Sequence, residues 1–164
     1  MNDRPSFSLR RYMQKILIYL VAIASMFLIA TTTEAQAANL PEATVYRDPA
    51  CTCCGGWIDH LKAKGFPVKN VPTADMMTFK QEHGVTDELA SCHTAIINGY
   101  VVEGHVPSDD IKRLLAQKPD IKGIAVPGMP VGTPGMEMGN KKDSFAVVAF
   151  DKQGQTNVFK QYTY

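Results

Sequence analysis

Four cysteines carry the chemistry legible in this chain. Cys51, Cys53 and Cys54 crowd into Cys51-Thr52-Cys53-Cys54-Gly55-Gly56-Trp57, and the fourth, Cys92, is followed directly by His93. Cys51 and Cys54 have the CxxC spacing of a redox pair. Cys53 adds a sulfur that a disulfide exchanger does not need. The three are also a poor staple, because joining any two closes almost no loop and so removes little entropy from the unfolded chain. The cluster therefore reads as a chemical site, for thiol exchange or for metal. Oxidation would favour the Cys51–Cys54 pair, since adjacent Cys53 and Cys54 would close a strained ring.

Thiolates are soft ligands that suit Cu(I), zinc and iron–sulfur clusters, and imidazole ligates copper or zinc. A structural zinc site is usually written as two separated pairs, whereas here a crowded CxCC stands with one distant Cys-His. Sulfurs this close bridge several cuprous ions more readily than they surround one zinc tetrahedrally. Copper, as Cu(I), is the expected metal and zinc the alternative. Met129, Met136 and Met138 lie in a stretch rich in glycine and proline, with no helix or strand period to place them in a core. They are candidate thioether ligands, against the plainer reading of flexible apolar filler at a sheet edge. His105 is a further candidate, as a ligand or as a residue that orients one. His60 and His83 are expected at the surface, and Met76 and Met77 in the core.

The elements that must position these residues follow from patterning. Ala43 to Tyr46 reads as a first strand, and Asp48-Pro49 turns the chain toward the cysteines. Trp57, Ile58 and Leu61 recur at helical spacing up to Gly65, which places Cys54 on the buried face of the first turn. Cys51 and Cys53 precede or begin that helix, where free amides and the positive end of the dipole favour thiolates. Val68 to Val71 is a second strand, and a second helix, capped by Thr73 or Asp75, runs to His83-Gly84. Thr94 to Ile97 and Tyr100 to Val102 flank Asn98-Gly99, a strong hairpin signal. Ser108 caps a third helix with Asp109 and Asp110 in its first turn, and Pro119 ends it.

Strand, CxxC helix, strand, helix, hairpin and helix is the order of a thioredoxin- or glutaredoxin-like α/β core. In that topology the first strand neighbours the first strand of the hairpin, so the loop entering the hairpin packs over the start of the CxxC helix. Cys92-His93 occupies the place where ordinary members carry a cis-proline, and so joins the three sulfurs. Ser144 to Phe150 and Thr156 to Tyr162 form a C-terminal hairpin that extends the sheet or covers one of its edges.

Residues 1–37 read as a signal peptide. Arg4, Arg10, Arg11 and Lys15 precede an apolar run from Ile16 to Ala30, and Ala35-Gln36-Ala37 offers a cleavage site. A membrane anchor is the alternative, and Arg10-Arg11 raises a twin-arginine route, although ordinary secretion fits the flanking residues better. Residues 38–164 then form one domain. Removing four of the 17 basic and two of the 16 acidic residues leaves 13 against 14, a formal charge of −1. The slight basicity of the full sequence therefore says nothing about nucleic acid; no nucleic-acid partner is expected, and no stable membrane insertion after cleavage.

The chain resembles the CopG-like family of exported bacterial copper-resistance proteins, formerly a domain of unknown function that binds metal. The resemblance covers Ala43 to about Tyr162. It is carried by Cys51-x-Cys53-Cys54-Gly55, Ser91-Cys92-His93-Thr94-Ala95, Gly99-Tyr100-Val101-Val102-Glu103-Gly104-His105-Val106-Pro107 and Val126-Pro127-Gly128-Met129-Pro130 with Gly135-Met136-Glu137. One departure is Thr52, where family members often have glycine. The resemblance implies a thioredoxin-fold protein of the periplasm that carries cuprous ions on its cysteines and histidine, and that meets copper ions and periplasmic copper-efflux or copper-oxidising components. The expected function is copper binding in copper tolerance. A thiol-disulfide or Cu(I)/Cu(II) oxidoreductase using Cys51 and Cys54 is the first alternative, and a zinc-stabilised structural module the second.

Overall fold

The computed structural model describes residues 11–17, 19 and 39–164. The expected signal peptide lies outside the described residues, apart from residues 11–17 and 19, which are helical. Among the described residues, no helix is long and apolar enough to cross a membrane. The chain divides into Met1–Asn39 and a compact unit, Leu40–Tyr164.

The compact unit follows the expected order. Strand β1 (Ala43–Arg47) leads to helix α1 (Cys53–Ala63), then β2 (Val68–Pro72), α2 (Met76–Glu82), the hairpin β3 (His93–Ile97) and β4 (Tyr100–Glu103), and α3 (Ser108–Gln117). Asn98 and Gly99 take positive φ angles of 49° and 85°, as the tight hairpin turn requires. Strands β1 and β2 pair in parallel, β1 and β3 antiparallel, and β3 and β4 antiparallel. This β2-β1-β3-β4 order is consistent with a thioredoxin-like α/β fold. Arg47 lies opposite His93 in the β1/β3 register. The end of β1 that feeds the cysteine loop therefore lies beside the start of β3 that follows Cys92.

Beyond the core, β5 (Gly123–Ala125) pairs in parallel with β4, and the hairpin β6 (Phe145–Phe150) and β7 (Thr156–Tyr162) adds antiparallel to it, giving a seven-stranded sheet, β2-β1-β3-β4-β5-β6-β7. The C-terminal hairpin thus extends the sheet, with β5 as the connecting strand. It is tied to α3, where the Tyr162 hydroxyl donates to Asp110 at 2.7 Å and Arg113 donates to the same carboxylate at 2.8 Å.

Strand alternation sorts the side chains onto two faces. On one, Val45, Ala95, Ile97, Val102, Ile124 and Val147 pack with Trp57, Ile58 and Leu61 of α1 and with Ile111 and Leu114 of α3. Each such fully buried aliphatic side chain contributes roughly 1.5–3 kcal/mol. On the other, Val101, Ala125 and Phe150 pack with Val85 and Leu89. Helix α2 departs from expectation here. Met77 is exposed and Met76 only half-buried, while the side chain that α2 buries is Lys80. A lysine can sit there because Glu103 of β4, itself fully buried, receives its ammonium.

Candidate metal centre

The loop from Arg47 to Cys53 is held by a side chain that the motif does not reveal. The Arg47 guanidinium donates to the carbonyls of Cys51 at 3.0 Å and Asp48 at 3.2 Å, and to the Asn70 side chain of β2 at 3.1 Å. The Cys51 amide donates to the Asp48 carbonyl at 3.0 Å, which makes the turn expected from Asp48-Pro49. Helix α1 begins at Cys53 with no side-chain cap and no acidic residue in its first turn. The positive end of its dipole is therefore left to the sulfurs. Cys54 is buried, as the helical spacing requires, and Cys51 and Cys53 are partly exposed.

The β1/β3 register brings Cys92 to this turn. The Sγ atoms of Cys51, Cys53, Cys54 and Cys92 all lie within 4.8 Å of one another, a group that could hold a metal ion. Cys53 is central, with its sulfur 3.5 Å from Cys51 and 3.5 Å from Cys92. Cys51 and Cys54 are joined as a disulfide, and Cys53 and Cys92 are free thiols. The structure is thus the oxidised form of the CxxC pair. Burial and the neighbouring Cys53 push the Cys92 thiol pKa up to about 12.

His93 is fully buried but stands outside the four-sulfur group. Its ring packs on Trp57 with centroids 4.3 Å apart and meets the His105 ring edge-on at 5.0 Å. Both ring nitrogens of His93, and Nε2 of His105, are buried without a hydrogen-bond partner among the described residues. The other His105 nitrogen, Nδ1, lies 2.8 Å from the Pro134 carbonyl. An imidazole left unpartnered in the interior is a costly arrangement that a ligand would relieve.

Burial, with the His105 and Lys80 charges behind it, lowers the His93 pKa well below 6.5. A depressed imidazole pKa means that the unfolded chain takes up the proton more readily. The stability it contributes is present above 6.5 and is lost as pH falls below that value. Reduced, metal-free protein is accordingly expected to lose stability between about pH 7 and 5.5. His93→Gln should flatten that dependence, as read from urea midpoints across the range.

The methionine-rich loop docks against the same helix through glycine. Gly135, at φ +83°, lies so close to α1 that a Cβ there would sit 2.5 Å from the Trp57 backbone nitrogen. Met136, beside it, is half-buried, whereas Met129 and Met138 are 55% and 60% exposed. The loop therefore reaches the cysteine helix by its backbone, with two of its thioethers in solvent. His60 is more engaged than a surface residue: its Nε2 accepts the Ser108 amide at 3.2 Å. That imidazole, and not the Ser108 side chain, satisfies a free amide at the start of α3. His83 stacks on Phe79 at the end of α2, with ring centroids 4.1 Å apart.

Comparison with known proteins adds the family. Two solved structures, both named copper resistance protein CopG and distinguished as form 1 and form 2, match at 46% identity with a TM-score of 0.73. Each match covers 76% of this chain and 99% of the other. The chain belongs to the CopG family. Residues 89–136 also match the family described as a protein of unknown function, DUF411, a span that holds Cys92, His93, His105, Met129 and Met136. No curated protein matches the chain. Both the cysteine turn of α1 and the Cys92 loop, about forty residues apart, contribute to this chain's four-sulfur group.

Proposed function

We propose that this is an exported, periplasmic copper-binding protein of copper tolerance, which holds Cu(I) on Cys51, Cys53, Cys54 and Cys92. The observation that carries this reading is the convergence of four sulfurs within 4.8 Å. Four soft donors this close exceed what one cuprous ion needs and suit more than one. His93 is the adjoining nitrogen donor in this reading, supported by its sequence position next to Cys92 and by its two unpartnered ring nitrogens. Met136 and His105 are further donors at the loop that packs on α1, and Met129 and Met138 are exposed thioethers suited to handling copper at the rim. The partners follow as copper ions and the periplasmic components that export or oxidise them.

The Cys51–Cys54 disulfide favours one second reading, thiol-disulfide or copper-linked redox turnover. That reading uses Cys51 and Cys54 and leaves without a role the Cys92 thiol, whose pKa burial pushes up to about 12. Such a thiol can serve as a ligand that gives up its proton when metal arrives.

Metal choice separates copper from a structural zinc site. Protein reduced without oxygen and equilibrated with equal amounts of Cu(I) and Zn(II) is expected to retain copper in at least about tenfold excess, given the sulfur-rich donor set. Elemental analysis after desalting reads the result. One zinc per chain with no copper would assign the cluster to structure.

A further inference from the structure

The loop that delivers Cys92 is anchored by a buried polar network on the sheet face opposite His93. The Ser91 amide, one residue before Cys92, donates to Glu103 Oε1 at 2.6 Å. The Thr94 hydroxyl donates to Glu103 Oε2 at 2.6 Å, and Lys80 Nζ donates both to Thr94 Oγ1 at 3.0 Å and to Glu103 Oε1. Lys80, Thr94 and Glu103 are all buried. Glu103 thus accepts from three donors, the arrangement of a carboxylate, and Lys80 is the cation that allows it to be buried.

Adjacent contacts leave the loop little freedom. Gly104 takes φ +71°, and a Cβ there would sit 2.5 Å from the Ser91 side chain and 2.6 Å from the Val126 carbonyl. The Ser91 hydroxyl donates to the Gly128 carbonyl, and the Gly128 amide donates to Ala90 at 3.0 Å. Among the described residues, the charged group that bonds this loop's backbone is Glu103, and its bond falls on the amide of the residue before Cys92.

We propose that Glu103 is a positioning residue of the thiol cluster: its side-chain oxygen, kept buried on β4 by the Lys80 ammonium of α2, fixes the Ser91 amide and so holds Cys92 Sγ against Cys53 Sγ. Neither side chain belongs to the four-sulfur group. Ser91-Cys92 enters β3 directly, so an amide displaced by an ångström displaces the sulfur with it. Removing Lys80 alone would strand a buried carboxylate, and removing Glu103 alone would strand a buried ammonium. The pair must therefore be tested by changing both together. Its purpose depends on the thiol cluster being the metal site proposed above, but the Cys53–Cys92 approach does not, and it can be measured without metal.

The background is Cys51→Ser/Cys54→Ser, in which Cys53 and Cys92 are the remaining thiols. A short bifunctional thiol reagent that fluoresces only when both ends have reacted reports their proximity at fixed pH. Two charge-free variants are compared. In Lys80→Met/Glu103→Gln the amide oxygen still accepts from Ser91 and the amide NH2 can donate to Thr94; in Lys80→Met/Glu103→Leu the acceptor is gone. The glutamine variant is expected to cross-link within about threefold of the background rate, and the leucine variant at least about tenfold more slowly. Equal rates for the two folded variants would overturn the proposal.

Should the leucine variant not fold, Glu103→Asp takes its place. It keeps both charges but withdraws the carboxylate by one methylene, and slow cross-linking is again expected; an unchanged rate overturns the proposal. Cu(I) titration of the Lys80/Glu103 double variants with all four cysteines present then separates the two claims. Normal cross-linking in the glutamine variant and slow cross-linking in the leucine variant, with no copper bound by either or by the parent, would leave positioning intact and remove copper.

Discussion

Oxidised protein, with Cys51 joined to Cys54, is expected to bind Cu(I) at least about a hundredfold more weakly than reduced protein. Loss of a group that merely orients a ligand lowers metal affinity about 10–100-fold, and here two ligands themselves are removed. The disulfide leaves Cys53 and Cys92, 3.5 Å apart, as the free thiols. Dithiol reduction should restore full binding, and protein loaded first should react slowly with a thiol reagent, because ligated sulfur is less available to attack. Competition against a cuprous chelator, before and after reduction, reads the difference. Equal affinity in both states would remove Cys51 and Cys54 from the ligand set. Rapid turnover of the pair with an added dithiol, unaffected by copper, would instead move the function to disulfide chemistry.

The second large effect is expected at Cys92. Cys92→Ser should weaken Cu(I) binding nearly as much as Cys53→Ser, by about 1–2 orders of magnitude, although the two residues lie on separate elements. Cys53 Sγ is shared between Cys51 and Cys92 at equal distances, so either deletion opens the same group. Circular dichroism of the metal-free variants shows whether the fold survives. Wild-type affinity and stoichiometry in folded Cys92→Ser would place the hairpin loop outside the site.

Much of the arrangement can be read in the chain because it is written locally. Trp57, Ile58 and Leu61 give α1 its face, Asn98-Gly99 fixes the hairpin, and the element order dictates that β3 lies beside β1. The meeting of Cys92 with the cysteine turn follows from that order. What stays hidden is set by tertiary contact. Lys80 on α2 and Glu103 at the end of β4 carry no local signal of burial, and they are buried because each is the other's partner. Met76 and Met77 read as core, but Met76 shares its face of α2 with Lys80, four residues on, and is only half-buried, while Met77 lies off that face and is exposed. Arg47 is committed to the Cys51 carbonyl four residues on and to the Asn70 side chain of β2, and His60 to the distant Ser108 amide, which no local pattern announces. Strand β5 is three residues long and too short to carry a period.

The central claim is that the four cysteines form a site for more than one cuprous ion. Anaerobic titration of fully reduced protein with Cu(I), against a chelator of comparable affinity, tests it most directly. The account predicts saturation above one equivalent per chain, reached only when Cys51, Cys53, Cys54 and Cys92 are all present as thiols. Saturation at one equivalent would contradict the multinuclear site, and no binding at all would contradict copper.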